Sequence, residues 1–191
     1  MLVPFLASIL IGYGLGSVSS ASVIAWLVAK IDMTKEADGR ISASEVFQKL
    51  GLAPFLLVIL FDAIFALAAV IIAGSLGEGN SNIMMLAGVA ALCGHNWSIF
   101  LKFKGGLGAT AILGILIVLV TWQLFVGLAI GAVVILITHR PGLSTAFVLS
   151  GISLTLILQK GFGLLTIYPM ILFIIMLLKR YQVRRLFYPA H

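Results

Sequence analysis

The residues best suited to chemistry lie in one stretch, residues 94–110, which separates two apolar runs. This stretch contains two lysines and three closely spaced glycines, and it opens a run that is fit to form a helix. Glycines let backbone N–H groups turn toward a ligand, and a helix N-terminus adds partial positive charge. The stretch therefore predicts a phosphate-binding loop, and the alternative is a membrane turn with interfacial lysines. The phosphate-binding candidates in it are Lys102, Lys104, Gly105, Gly106 and Gly108.

His95 is the candidate for proton transfer beside this loop. It precedes Lys102 by seven residues, which corresponds to about 10 Å along a helix. A histidine at this place would act as a general base or would hydrogen-bond a neighbouring membrane span. Both uses stay open at the level of the sequence.

Asp62 is the other ionisable residue inside an apolar run. A carboxylate within a membrane span is costly unless it is neutral, paired or hydrated. We therefore expect Asp62 to have a partner inside the bundle, with a lysine or arginine from an inner loop as the commoner outcome. Direct chemistry is the alternative.

These residues must be positioned by a chain of 191 residues that is 62% apolar and only 9% charged. A soluble domain of this size has too little interior to bury so much apolar surface. We therefore expect a single all-α integral-membrane domain over residues 1–191. The net charge of +6 does not indicate nucleic acid, because the basic residues lie between and after the apolar runs, as topology signals do.

Long apolar runs, separated at charged or Gly/Pro positions, predict about seven transmembrane helices. Their approximate bounds are 3–29, 51–76, 83–101, 109–121, 123–138, 142–158 and 162–178. A helix needs about 20 apolar residues to cross a bilayer, so the last four runs are short for a span. We expect them to cross with little tilt or by including residues from the neighbouring loops.

The basic residues predict the orientation of these spans. If the N-terminus lies outside and the spans alternate, Lys160 alone falls outside, and the C-terminus is cytoplasmic. This arrangement satisfies the positive-inside rule almost completely. The inner loops then hold Lys30, Lys35, Arg40, Lys49, Lys102, Lys104, Arg140, Lys179, Arg180, Arg184 and Arg185.

Small residues are concentrated in two of the runs. Close helix packing is their common use in membranes, and it is what the pair Gly127 and Gly131 predicts. In the first run, a serine hydroxyl that faces a polar site near the cytoplasmic surface is the alternative. The small residues of this run are Gly12, Gly14, Gly16, Ser17, Ser19, Ser20 and Ser22.

The longest polar segment, residues 30–50, contains a second helical pattern. Its apolar residues recur at near-helical spacing after a possible Ser42 cap that is followed three residues later by Glu45. This pattern predicts a short amphipathic helix on the inner face, which would be a lid or a connector.

Metal-dependent and nucleotide-dependent reactions have no support in the sequence. Cys93 is the one cysteine, and there is no HExxH sequence, Cys/His cluster or Walker A sequence. We therefore expect neither a metal nor a cofactor.

The chain resembles the PlsY family of bacterial membrane glycerol-3-phosphate acyltransferases over nearly its whole length. The family version of residues 94–110 reads roughly GHxxPxFxxFKGGKGVAT, which is one residue longer at the position before Ala109. Further similarity includes Leu15-Gly16-Ser17, Asp32 and Asp62. The matching residues within the loop are His95, Phe100, Phe103, Lys104, Gly105, Gly106, Gly108, Ala109 and Thr110.

This resemblance implies a seven-span fold in the bacterial inner membrane with an active site at the cytoplasmic face. It implies transfer of a fatty acyl group from acyl phosphate to the 1-hydroxyl of glycerol 3-phosphate, giving lysophosphatidate for phospholipid synthesis. Ser17 corresponds to the serine of the family's first motif, and His95 is the accompanying catalytic candidate. Residues 104–108 correspond to its phosphate loop.

Several family positions differ in this chain. Leu107 replaces the lysine of the family's GGKG sequence, and Thr34 aligns with an arginine, whose charge Lys35 or Arg40 would supply. A histidine and an asparagine of the family's last motif align with Lys179 and Gln182. Three interpretations are open: an active acyltransferase, a non-catalytic lipid-binding or partner subunit, and a small membrane transporter.

Overall fold

The structure, a computed structural model, describes residues 2–33 and 42–187. Within these ranges the chain forms α-helices and one short 3-10 helix, and no strand is present, which confirms the all-α prediction. The helices are α1 (Leu2–Ser17), α2 (Ser20–Ala29), α3 (Ala43–Leu50), α4 (Leu52–Leu76), α5 (Ser81–Asn96), α6 (Ala109–Leu119), α7 (Thr121–Thr138), α8 (Pro141–Lys160) and α9 (Leu164–Phe187), and the 3-10 helix is Ile99–Leu101.

Six segments of the described chain are long and apolar enough to cross a membrane, with α1 and α2 together forming the first. One further apolar helix, α6, has 11 residues, which gives a length of about 16 Å at 1.5 Å per residue. It is therefore shorter than the hydrocarbon core of about 30 Å. The seven predicted apolar segments are thus all helical, and the outside position of the N-terminus stays a prediction.

The last three spans extend into the predicted loops, which is one of the two expected ways for a short apolar run to cross the membrane. Helices α7, α8 and α9 contain 18, 20 and 24 residues. The extension is largest in α9, which continues through the basic residues after residue 178. Cations in the last turns of a helix interact favourably with its dipole, so charge at this end does not stop the helix.

Helix α6 lies at the centre of the larger apolar core. Ile112, Ile115 and Leu116 are almost completely buried, and they pack with residues of α4, α5, α8 and α9. The hydroxyl of Tyr168 on α9 donates a hydrogen bond to the carbonyl of Met85 on α5 at 2.8 Å. This core fixes the N-terminus of α6, and the predicted phosphate loop leads directly into that end.

Glycines set the distance between α1 and α5. A Cβ at Gly12 or Gly16 would overlap backbone atoms of Ala87 or Ala91 on α5, whereas a Cβ at Gly14 would meet nothing within 4 Å. The packing interpretation is therefore confirmed for two of the three glycines. It is also confirmed for Gly127 and Gly131 on α7, which face Val148 and neighbouring atoms of α8.

Helix α3 confirms the predicted amphipathic helix. Ser42 occupies its N-cap position, although its side chain makes no capping hydrogen bond. Val46 is completely buried against a small core that includes Ile24 of α2 and Val58 of α4. Since α3 is packed against two other helices, it forms part of the wall of the bundle.

Candidate active site

The predicted loop begins within the last turn of α5. The third span ends at Leu101, as predicted, with α5 to Asn96 followed by the 3-10 helix Ile99–Leu101. Lys102 and Phe103 then adopt left-handed backbone conformations with φ of 52° and 63°. The backbone N–H of Phe103 donates to the carbonyl of Ser98 at 2.8 Å, so this turn is held by its own hydrogen bonds.

The glycines of the loop lie directly against the end of α5. A Cβ at Gly105 would overlap the carbonyl of His95, and a Cβ at Gly106 would overlap the ring of the same histidine. Gly108 has φ of +85°, and its Cβ position faces the side chain of Asn96. Two physical constraints, close approach and a positive φ, therefore favour glycine here.

One of the loop N–H groups is already used. The N–H of Gly106 donates to the carbonyl of His95 at 3.2 Å, so it is not directed at a ligand. By contrast, the N–H groups of Leu107 and Gly108 have no acceptor among the described residues. The loop N–H groups available to a ligand are therefore at the entry to α6, after the tightly packed glycine pair.

Asp62, His95 and Thr110 meet between α4, α5 and α6. Thr110 Oγ1 donates a hydrogen bond to Asp62 Oδ2 at 2.9 Å, and His95 Nδ1 lies 3.8 Å from Asp62 Oδ1. The expectation of an inner-loop lysine or arginine as the partner of Asp62 is therefore wrong for the described chain. The reason is packing: α6 places a threonine, and α5 a histidine, directly against this side of α4. The carboxylate thus faces Nδ1 of His95, and Nε2 is on the side of Gly106.

Ser17 ends α1 in a closely packed position. Its exposed fraction is 0%, its carbonyl accepts a hydrogen bond from Ser98 Oγ at 2.6 Å, and its hydroxyl has no partner among the described residues. Its backbone N lies beside Gly94, one residue before His95. The fold thus brings Ser17 to the end of α5, but its side chain is covered, and its catalytic role stays a prediction.

The basic candidates of the loop are on the surface. Lys102 and Lys104 are exposed, and Arg40 lies outside the described residues. The loop lysines can therefore move toward a ligand without breaking an internal contact of their ammonium groups with the described chain.

A cavity of about 830 Å³ lies beside the entry to α6. Its size falls within the range of about 300–1,000 Å³ that is typical of small-molecule sites. Leu107 and Ala109 line one wall, and Arg180 and Arg184 of α9 line another. The remaining lining residues are Ser44, Pro141, Gly142, Thr145, Met176 and Val183.

Helix α9 contacts this region through two different faces. Lys179 is buried and its Nζ donates to the carbonyl of Phe103 at 3.4 Å, and Gln182 Oε1 accepts a hydrogen bond from Trp97 Nε1 at 2.7 Å. These two residues hold the loop segment. The adjacent face, with Arg180 and Arg184, lines the cavity. In the sequence these arginines serve only as topology signals. Their spacing of four residues is the signal that indicates a shared helix face.

A second, apolar groove of about 220 Å³ runs between α6, α7 and α8. It is lined largely by leucine, isoleucine and valine side chains, together with Ala109, Thr110, Ser144 and Thr145. Ala109 and Thr145 belong to the walls of both the groove and the larger cavity. The two spaces are therefore adjacent, one cationic and one apolar.

The fold and the site define a multi-span membrane protein whose cation-lined cavity adjoins an apolar groove. A sequence profile described as Glycerol-3-phosphate acyltransferase matches residues 6–188. The chain belongs to this family, which confirms the resemblance seen in the sequence.

Individual relatives agree with this assignment. The chain is 32% identical to a glycerol-3-phosphate acyltransferase of Halalkalibacterium halodurans over 175 residues, which cover 90% of this chain and 84% of that protein. It is 38% identical to a glycerol-3-phosphate acyltransferase of Shouchella clausii over 116 residues, and this match spans 57% of the relative's length.

Solved structures show the same fold. The protein is similar to PlsY (YgiH), an integral membrane glycerol 3-phosphate acyltransferase, in crystal structures of its glycerol 3-phosphate and lysophosphatidic acid forms. The TM-score is 0.80 at 22% identity, with 95% of this chain and 91% of the other chain covered. A likeness at this level of identity concerns the fold.

Proposed function

We propose that this protein transfers a fatty acyl group from acyl phosphate to glycerol 3-phosphate, giving lysophosphatidate and inorganic phosphate, in the bacterial inner membrane. Its membership of the glycerol-3-phosphate acyltransferase family supports this reaction. The structural observation that carries the proposal is the adjacency of the cationic cavity and the apolar groove at Ala109 and Thr145. A donor with a phosphoryl head and an acyl tail needs two such spaces side by side.

The groove between α6, α7 and α8 holds the first part of the acyl chain. Its walls include Leu113, Leu116, Leu124 and Leu128, which offer an apolar surface next to lipid. The rest of the chain extends into the bilayer, since the groove is small and open. The reactive carbonyl then lies near Ala109, at the entry to α6.

The N-terminus of α6 stabilises the negative charge that develops during transfer. The 1-hydroxyl oxygen of glycerol 3-phosphate bonds to the carbonyl carbon, the bond from this carbon to the phosphoryl oxygen breaks, and phosphate leaves. The backbone N–H groups of Leu107 and Gly108 have no acceptor among the described residues and lie at the entry to α6, where donors at a helix N-terminus are effective. Because acyl phosphate is already activated, positioning and charge stabilisation account for much of the catalysis.

His95 takes the hydroxyl proton in this proposal. Asp62 lies on the Nδ1 side of the ring, so that the Nδ1–H tautomer is favoured and Nε2 keeps its lone pair. The distance of 3.8 Å exceeds a hydrogen bond, but such contacts often tighten only in the substrate complex. Lys102, Lys104 and Arg40 add positive charge for the two phosphate substrates.

Acyl transfer by the purified protein in lipid tests the proposal. We expect palmitoyl phosphate and labelled glycerol 3-phosphate to give labelled lysophosphatidate and an equal amount of phosphate. Leu128→Trp places a bulky ring in the groove, so its rate should fall about tenfold more for a 16-carbon than for an 8-carbon donor, the scale on which apolar pockets discriminate. Leu136→Trp is the matched control, since Leu136 is exposed on the same helix and does not line the groove.

Two outcomes would contradict the proposal. The absence of lysophosphatidate from folded wild-type protein would exclude the transfer reaction and favour the non-catalytic interpretation. Equal effects of Leu128→Trp and Leu136→Trp on both donors would show that the acyl chain does not use the groove.

A further inference from the structure

The cavity beside α6 lacks the cation that the family motif places in its loop. Position 107 is a leucine, and its side chain lines the cavity. A lysine at this position would extend its ammonium into the same space. The loop alone therefore supplies one positive charge fewer to a bound phosphate. This loss matters because charge-assisted hydrogen bonds are about twice as strong as neutral ones.

Two cations enter the same cavity from another element. Arg180 and Arg184 are four residues apart, so they lie one turn apart on one face of α9, and both line the cavity that Leu107 lines. Neither arginine makes an ion pair with any residue in the described part of the chain. Two unpaired guanidinium groups facing one cavity favour an anionic ligand between them.

Arg180 lies against the start of α8. Its Nη1 lies so close to Gly142 that a Cβ there would overlap it. Gly142 precedes Thr145 by three residues, which is about one helical turn. Because Thr145 also lines the apolar groove, the Arg180 guanidinium lies close to the point where an acyl tail would enter.

We propose that Arg180 and Arg184 bind the phosphoryl group of the acyl donor and replace the loop lysine that is absent at Leu107. This inference rests on the proposed function for the identity of the donor. The guanidinium group suits the task, since its fixed donors can hold two phosphoryl oxygens at once. The positive charge of the donor site is thus supplied by α9 instead of by the loop.

Steady-state kinetics of Arg184→Gln, with Arg185→Gln as the matched control, test the inference. Arg185 is the next residue, has the same charge and is exposed, but it does not line the cavity. We expect the KM for palmitoyl phosphate to rise about tenfold or more in Arg184→Gln, as for loss of one charged hydrogen bond, and the KM for glycerol 3-phosphate to change by less than about twofold. Arg185→Gln should leave both values unchanged.

A second, sharper test moves one positive charge from α9 to the loop. Adding Leu107→Lys to Arg184→Gln should restore most of the lost donor affinity, because the new ammonium enters the same cavity. Failure of this rescue in a folded double variant, equal effects of the two arginine substitutions, or a rise confined to the KM for glycerol 3-phosphate would overturn the inference.

A binding measurement separates this inference from the proposed reaction. Hexadecylphosphonate, a stable analogue of the donor, should bind the wild type and Arg185→Gln equally, and Arg184→Gln about tenfold more weakly. If the wild type transfers no acyl group but shows this binding pattern, the transfer reaction is wrong and the arginine site stands. If all three proteins bind the phosphonate equally, the arginine site is wrong whatever the activity.

Discussion

At the scale of single residues, His95 lies between the carboxylate of Asp62 inside the bundle and the glycines of the loop. Its Nδ1 faces Asp62 of α4, and its ring occupies the space that a side chain at Gly106 would need. Two roles follow from this position: proton transfer through Nε2, and support of the loop. Replacement by asparagine distinguishes them, because its amide keeps a donor near Nδ1 but has no basic nitrogen.

We expect His95→Asn and His95→Ala to lower kcat by a similar factor, about 10²-fold or more, as for loss of a general base. The KM values should change little, since neither substitution removes charge from the cavity. Initial rates with both substrates varied would measure this. High kcat in His95→Asn together with a large loss in His95→Ala would assign the histidine to supporting the loop.

At the scale of elements, the site depends on how closely α1 approaches α5. Gly16 lies against the backbone of Ala91, and Ser17, the next residue, is held by Ser98 at the end of α5. The hydroxyl of Tyr13 also donates to the carbonyl of Trp97 at 2.8 Å. Helix α1 therefore anchors the segment that leads into the phosphate loop.

Gly16→Ala should destabilise the protein by about 1–3 kcal/mol, the usual cost of overpacking a tight contact. Gly14→Ala is the matched control on the same helix, because its Cβ would meet nothing within 4 Å. Thermal unfolding in detergent should show a lower Tm for the first variant and an unchanged or higher Tm for the second. Equal Tm values would mean that α1 and α5 can separate without cost.

At the scale of the whole molecule, much of the fold could be predicted from the sequence. Hydropathy is a local signal, so it located all seven apolar helices, and the small residues Gly127 and Gly131 correctly indicated a packed helix pair. The loop motif indicates the candidate site. Helix ends are less accurate, since α9 continues to Phe187 through basic residues that interact favourably with its dipole.

The composition of the site could not be predicted in the same way. Contacts such as Asp62 with Thr110, or Trp97 with Gln182, join residues 48 and 85 positions apart in the chain. No local pattern encodes such pairs. The sequence likewise indicates Arg180 and Arg184 only as topology signals, because the packing of α9 that brings them to the cavity depends on distant residues.

For the whole molecule, we propose that the active site is complete without a lysine at position 107. The most direct test is the rate of lysophosphatidate formation by the wild type and by Leu107→Lys, measured side by side in the same lipid. We predict an active wild type, with a rate that changes by less than about threefold in Leu107→Lys, because one added charge beside two existing cations contributes little in a hydrated cavity. A folded but inactive wild type, together with an active Leu107→Lys variant, would contradict the account.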